Sequence, residues 1–173
     1  MNLESVDVIN QPVDVVYNLV RDELDQLVPY LPNISKIEVE SSEAAGDDLK
    51  KVNRWYAEVD APGLIKKVIK PEMFSWIDRA HWNNDEKTVE YSLESTFGKD
   101  LFDARGKNYF KEVDGGTELR ITCEVQIYAD KVPGVPRLLA KKATPVIEGL
   151  LKKMLQPNLT ALAEGLKGYY GEK

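Results

Sequence analysis

The 173-residue sequence holds one cysteine, Cys123, and one histidine, His81. A lone cysteine excludes an intrachain disulfide, and one residue of each type excludes a Cys/His zinc cage. Long apolar runs are missing too: nowhere do about 18 apolar residues follow one another, so no membrane-spanning helix is expected. The opening MNLESVDVIN lacks a basic stretch followed by an apolar one, so no secretory signal is expected. A soluble cytoplasmic protein follows as the expectation. Basic runs are scarce: 23 Lys and Arg stand against 29 Asp and Glu, giving a net charge of −6, which argues against a nucleic-acid partner. The lysine pairs at 66–67, 141–142 and 152–153 read as solvated faces, leaving membrane contact at most transient. No G-x-S-x-G, P-loop or dinucleotide fingerprint occurs, and no cofactor or metal is expected.

What is present is a 43% share of hydrophobic residues, enough for the core of one domain spanning residues 1–173. A strand, Leu3 to Ile9, leads into QPVDVVYNLVRDELDQLVPYLP. There Val13, Val16, Tyr17 and Val20 recur at helical spacing behind Pro12. Asp22 reads as the cap of a second short helix through Leu24, Leu27, Val28 and Leu31. Strands follow at Ile34–Ser41, Leu49–Val59, Met73–Trp82, Lys87–Phe97, Leu101–Val113 and Thr117–Ala129, the last four separated by NNDE, GKD and GG. Such separators predict antiparallel hairpins. DAPGLIKKVIKP, Asp60 to Pro71, reads as a connection. Beyond DKVPGVP the stripe Ile147, Leu151, Leu155, Leu159, Leu162, Leu166 predicts one long C-terminal helix, restarting near Pro145 and kinked at Pro157.

Pairing the hairpins through their turns places Asp78 opposite Tyr91, Tyr91 opposite Asn108, and Asn108 opposite Cys123. One face then holds Phe74, Trp76, Val89, Tyr91, Leu93, Phe97, Phe102, Phe110, Leu119, Ile121, Val125 and Ile127, crossed by the polar row Asp78, Tyr91, Asn108, Cys123 beside small Ala104 and Gly106. Two readings fit. In one, the polar groups satisfy each other or a buried water. In the other, aromatic walls with a few convergent polar groups and small side chains describe a ligand cavity. Trp55 shares a face with Ala57 and Val59, either as packing or as a ring stacked on a ligand. His81 falls on the outward parity. The only acid/base constellation the sequence offers is Asp78, Tyr91 and Asn108.

The order of elements resembles the START-like superfamily with its helix-grip fold, which includes polyketide cyclases and aromatases, birch-pollen-allergen relatives and coenzyme Q-binding proteins. INQPVDVVYNLVRDELDQLVPYLPNISKIEV carries the likeness at one end, and ITCEVQIYAD with VIEGLLKKMLQPNLTALAEGL carries it at the other. The resemblance implies an α+β fold: a curved antiparallel sheet of about seven strands wrapped around a long kinked C-terminal helix, with two short helices between strands 1 and 2. It also implies a cavity for a hydrophobic small molecule such as a lipid, sterol, isoprenoid or polyketide. By position, Leu150, Leu151 and Met154 would face it from the helix, and Trp76, Tyr91 and Asn108 from the sheet. Trp55, Asp78, Phe97 and Phe102 complete the candidate ligand-binding set. Binding without covalent chemistry is the expectation; the alternative is a cyclase or aromatase using Asp78, Tyr91 and Asn108. No universal catalytic motif exists in these families to carry over.

Overall fold

The computed structural model describes residues 1–58, 75–96, 102–128, 138 and 140–172, with the backbone alone at residues 95, 140, 143 and 146–158. Strand β1 (Asn2–Ile9) is followed by helix α1 (Val13–Asp22) and a 3₁₀ helix (Leu24–Tyr30). Then come β2 (Ile34–Ala45), β3 (Asp48–Ala57), β4 (Ser75–Asn83), β5 (Thr88–Ser95), β6 (Phe102–Val113), β7 (Gly116–Ile127) and helix α2 (Ala140–Tyr169). The described strands form one antiparallel sheet in the order β1-β7-β6-β5-β4-β3-β2. Consecutive pairing accounts for β2 to β7, and β1 joins at the far side with Leu3 opposite Cys123. This is the expected α+β arrangement, with two short helices inserted between the first and second strands.

Pro12 sits just before α1, where its missing N–H is not needed, and its carbonyl accepts from the N–H groups of Val15 and Val16. One face of α1 buries Val16, Tyr17, Leu19 and Val20. Asp22 does not cap the next helix as expected. It is the last residue of α1 and pairs with Arg21 at 2.7 Å. That next helix is a 3₁₀ turn, burying Leu24 and Leu27 three residues apart, and Pro29 within it cannot donate an α-helical hydrogen bond. Helix α2 runs continuously through Pro145 and Pro157, with no restart at Pro145. Its last turns bury Leu159, Ala161, Ala163 and Leu166. A Cβ at Gly165 would stand 2.8 Å from Leu31 Cδ2, so glycine here lets α2 approach the 3₁₀ segment. Ser5 Oγ donates to the Leu159 carbonyl (3.2 Å) and Lys167 Nζ to Asp7 (2.9 Å), fixing the helix end against β1.

Alternation assigns the faces correctly. Val89, Phe110, Leu119, Ile121 and Val125 are buried, while His81 is exposed on the outer face, 3.2 Å from Asp48. Each of the three hairpin registers is nevertheless displaced by two residues from its expected position. Asp78 lies opposite Leu93, Tyr91 opposite Gly106, Gly106 opposite Cys123, and Asn108 opposite Ile121. The β4–β5 loop holds four residues, 84–87, ending in Lys87 with φ of 53°, and Glu86 N–H donates to Asn83 Oδ1 at 2.7 Å. The β6–β7 turn is Asp114-Gly115, with Gly115 at φ of 87°, so Gly116 belongs to the strand. A two-residue slip keeps every side chain on its face and so escapes the alternation test.

One end of the inner face is tightly filled. Tyr17 is fully buried with its ring edge-on to Trp82 and Phe110, both at 5.4 Å, and its hydroxyl donates to the Asn83 carbonyl at 2.9 Å. Burial pushes that phenol up to about 12. Toward the other end Trp55, Trp76, Leu93, Phe102 and Ile127 are only half-buried.

Candidate functional site

At that looser end, β3 and β4 set Asn53 opposite Asp78 and Trp55 opposite Trp76. The two indoles stack with centroids 5.8 Å apart and planes 14° from parallel. Both Asn53 Nδ2 and Trp55 Nε1 donate to Asp78 Oδ2, each at a long 3.4 Å. Asp78 Oδ1 has no solvent contact and, among the described residues, no hydrogen-bond partner. Burial pushes the Asp78 carboxyl up to about 6, against the opposing pull of the Asn53 and Trp55 hydrogen bonds. Leu93, Ala104 and Val125 continue the row across β5, β6 and β7. The result is a buried carboxyl with one free oxygen, beside stacked indoles and among apolar side chains.

Tyr91 is occupied differently from the sequence expectation. Its hydroxyl donates to the Thr122 carbonyl at 2.9 Å, two strands away, and its ring lies across Gly106. A Cβ on Gly106 would stand 2.5 Å from the Tyr91 hydroxyl oxygen and would run into the Thr122 carbonyl. The space that Gly106 was expected to leave for a ligand is therefore filled by the phenol. With the Thr122 carbonyl engaged by Tyr91, the Thr122 hydroxyl bridges the neighbouring rung, accepting from Lys107 N–H (3.2 Å) and donating to the Lys107 carbonyl (2.9 Å). Burial, reinforced by neighbouring Cys123, raises the Tyr91 phenol above its ordinary range, and burial also raises the Cys123 thiol.

Asn108 does not join Asp78. Its row contains Trp82, Val89 and Ile121, four residues along β6 from the Asp78 row and two strands over. At ordinary strand spacings that separates the two Cα positions by about 16 Å. Asn108 Oδ1 and Trp82 Nε1 are both buried without a partner among the described residues, which makes a second polar spot nearer the sealed end. The expected constellation of Asp78, Tyr91 and Asn108 is thus three separate arrangements. Phe97 and the Asp60–Pro71 connection lie outside the described residues. Leu150, Leu151 and Met154 lie on the α2 backbone, with side chains outside the description.

Two inner-face residues escaped sequence reading. Asn53 and Lys51 share the parity of Trp55, a signal that was legible, but their partners across β4 depend on a register that no short turn sets. Lys51 is buried and its Nζ donates to the Arg21 carbonyl near the end of α1, where a cation complements the helix dipole. Burial lowers its pKa against the raising influence of Asp22 and Asp25. Among the described residues no group of three His, Cys, Asp or Glu side chains is placed to hold a metal, and no helix is long and apolar enough to cross a membrane.

A seven-stranded antiparallel sheet, two short helices after β1 and a long C-terminal helix define a helix-grip fold. No protein-family model and no curated protein matches the sequence. Solved structures do. A protein of Thermus thermophilus superposes with TM-score 0.70 at 21% identity, over 98% of this chain and 96% of that one. The Zhui aromatase/cyclase of a Streptomyces species gives 0.69 at 19% identity, over 98% and 93%. A major latex-like protein of Panax ginseng gives 0.53 at 12% identity, over 94% and 97%. At such identities the likeness establishes the fold.

Proposed function

We propose that this protein binds a hydrophobic small molecule, a lipid, sterol, isoprenoid or polyketide, between the inner face of its sheet and α2, without covalent chemistry. The observation that carries the reading is the free oxygen of Asp78, buried beside half-buried Trp55, Trp76 and Leu93, with half-buried Phe102 and Ile127 further across the same face. A carboxyl with an empty acceptor position lowers stability wherever packing alone is required, and apolar walls around a few polar groups are what ligand sites present. Affinity would come from burying apolar ligand surface at roughly 25 cal/mol per Å², with Asp78 setting the orientation. Phe97, Leu150 and Met154 complete the walls in this reading, and the polar spot at Asn108 and Trp82, about 16 Å away by strand spacing, stays outside it. The same reading takes the chain as one cytoplasmic domain over residues 1–173, with no nucleic-acid partner and at most transient membrane contact.

A second reading, an aromatase/cyclase-like enzyme acting on a poly-β-ketone in the same place, is favoured by one observation. A carboxyl pushed up to about 6 exchanges protons readily near neutral pH, as a general acid or base must. The first test is native mass spectrometry of the purified protein followed by solvent extraction. A co-purifying apolar molecule, or binding from a panel of fatty alcohols, sterols, quinones and polyketides, is the expected result. Protein that is ligand-free and indifferent to the whole panel overturns the proposal. Turnover of a poly-β-ketone analogue, lost in Asp78→Asn, would decide for the enzyme.

A further inference from the structure

We infer that the site selects ligands whose buried end is a hydroxyl or comparable neutral hydrogen-bond donor, and discriminates against carboxylate-headed ones. The inference rests on the ligand-binding reading above and adds the chemistry of the head group. It follows from how the two oxygens of Asp78 are used. Oδ2 already receives Asn53 Nδ2 and Trp55 Nε1, so these two donors are turned onto Asp78. Oδ1 is left with acceptor capacity, no solvent and no partner among the described residues. A ligand hydroxyl placed there fills the acceptor and relieves an unsatisfied buried group. A ligand carboxylate placed there meets a second anion across a short, poorly screened distance, so one of the two acids must take up a proton before both fit.

The flanking residues narrow the ligand further. Trp55 and Trp76 present a stacked aromatic pair directly beside the carboxyl, on neighbouring strands. Leu93, opposite Asp78, and Ala104, opposite Leu93, continue the row without any polar atom in the side chain. A molecule lying along this row meets one acceptor at its end and apolar or aromatic surface along its length. Asp22, Asp25 and Asp48 stand around α1 and the β3 start, at the other end of the sheet from Trp76. Asp78 is therefore the acceptor assigned to the head group.

The test compares farnesol, farnesyl methyl ether and farnesoate, which share one tail, in titrations of the ligand-free protein followed by tryptophan fluorescence. Farnesol is expected to bind about 10- to 100-fold more tightly than either of the others, the ratio appropriate to a hydrogen bond onto a charged group. In Asp78→Asn, whose folding is checked by circular dichroism, the advantage over farnesoate should shrink to within about threefold. Equal binding of all three by the wild-type protein overturns the head-group inference and leaves the ligand-binding reading standing. An alcohol preference that persists unchanged in Asp78→Asn also overturns it. Binding of none of the three, nor of 2-naphthol and 2-naphthoate, overturns the head-group inference, and together with indifference to the wider panel it overturns the ligand-binding reading as well. The wild-type comparison needs no variant, so a misfolded Asp78→Asn would not leave the question open.

Discussion

Replacing Asp78 by Asn should stabilise the ligand-free protein at neutral pH and destabilise it by about 1 kcal/mol in mild acid. The Asp78 pKa rises from an ordinary 3.8 to about 6 in the folded state. Because the folded value is raised, the native state holds its proton more tightly than the unfolded chain. The contribution of Asp78 to stability therefore falls as pH rises from near 4 through near 6 and then levels off. Two units correspond to about 3 kcal/mol of destabilisation at about pH 7.5. The Asn variant escapes this, because its amide oxygen can still accept from Asn53 and Trp55 while carrying no charge. Its amide nitrogen would take the place of Oδ1 and remain unpartnered, which costs about 1–2 kcal/mol. The net expectation is a gain of about 1–2 kcal/mol at about pH 7.5, or roughly 2–8 °C in Tm for a chain of this size. Urea unfolding of both proteins at about pH 4 and about pH 7.5, followed by tryptophan fluorescence, reads the effect as a difference of differences. Other titrating groups cancel in that comparison. A variant that is less stable than wild type by the same amount at both pH values refutes the reasoning, for it would mean that Asp78 is satisfied in the fold.

Gly106→Ala should destabilise the domain by more than about 2 kcal/mol, since its Cβ meets the Thr122 backbone carbonyl and the Tyr91 phenol; a melting temperature equal to wild type would contradict this. Tyr91→Phe should lower stability by about 1 kcal/mol, through the lost bond to Thr122, while leaving affinity for farnesol within twofold. A large affinity loss with unchanged stability would place the hydroxyl on the ligand instead. Tyr17→Ala should cost about 3–5 kcal/mol because a fully buried ring packed on Trp82 and Phe110 is removed, whereas Tyr17→Phe should cost about 1 kcal/mol; denaturant midpoints separate the two.

How much of this was legible in the sequence depends on which periodicity carried the information. Face assignment rests on alternation, and the charged residues Arg79, Glu90, Arg105 and Glu124 tolerate only the outer side, so Val89, Phe110, Leu119 and Val125 had to point inward. Register rests on turn geometry. A tetrapeptide such as NNDE permits loops of two or four residues, and DGG permits Asp114-Gly115 or Gly115-Gly116. Those choices preserve parity while moving each strand by two residues, which is enough to dissolve the row of Asp78, Tyr91, Asn108 and Cys123. Asp78 survived as a candidate because its face alone makes it notable. Its contacts with Asn53 and Trp55 were not legible, because β3 and β4 are joined by a long connection whose length sets no register. Gly106 was read as spare room for the same reason: one strand cannot reveal that a tyrosine from the next lies across it. The helix-grip order, by contrast, follows from element lengths and separators, which need no register.

The three tryptophans supply the most direct measurement. Trp55 and Trp76 flank Asp78, while Trp82 packs against Tyr17 toward the sealed end. In a ¹H–¹⁵N correlation spectrum each indole N–H gives one signal, assignable by single Trp→Phe variants. Titration with farnesol, or with whatever molecule the purified protein yields on extraction, should shift the Trp55 and Trp76 signals and leave that of Trp82 close to its starting position. Movement of Trp82 alone, or of none of the three at saturating ligand, would contradict a ligand site at Asp78.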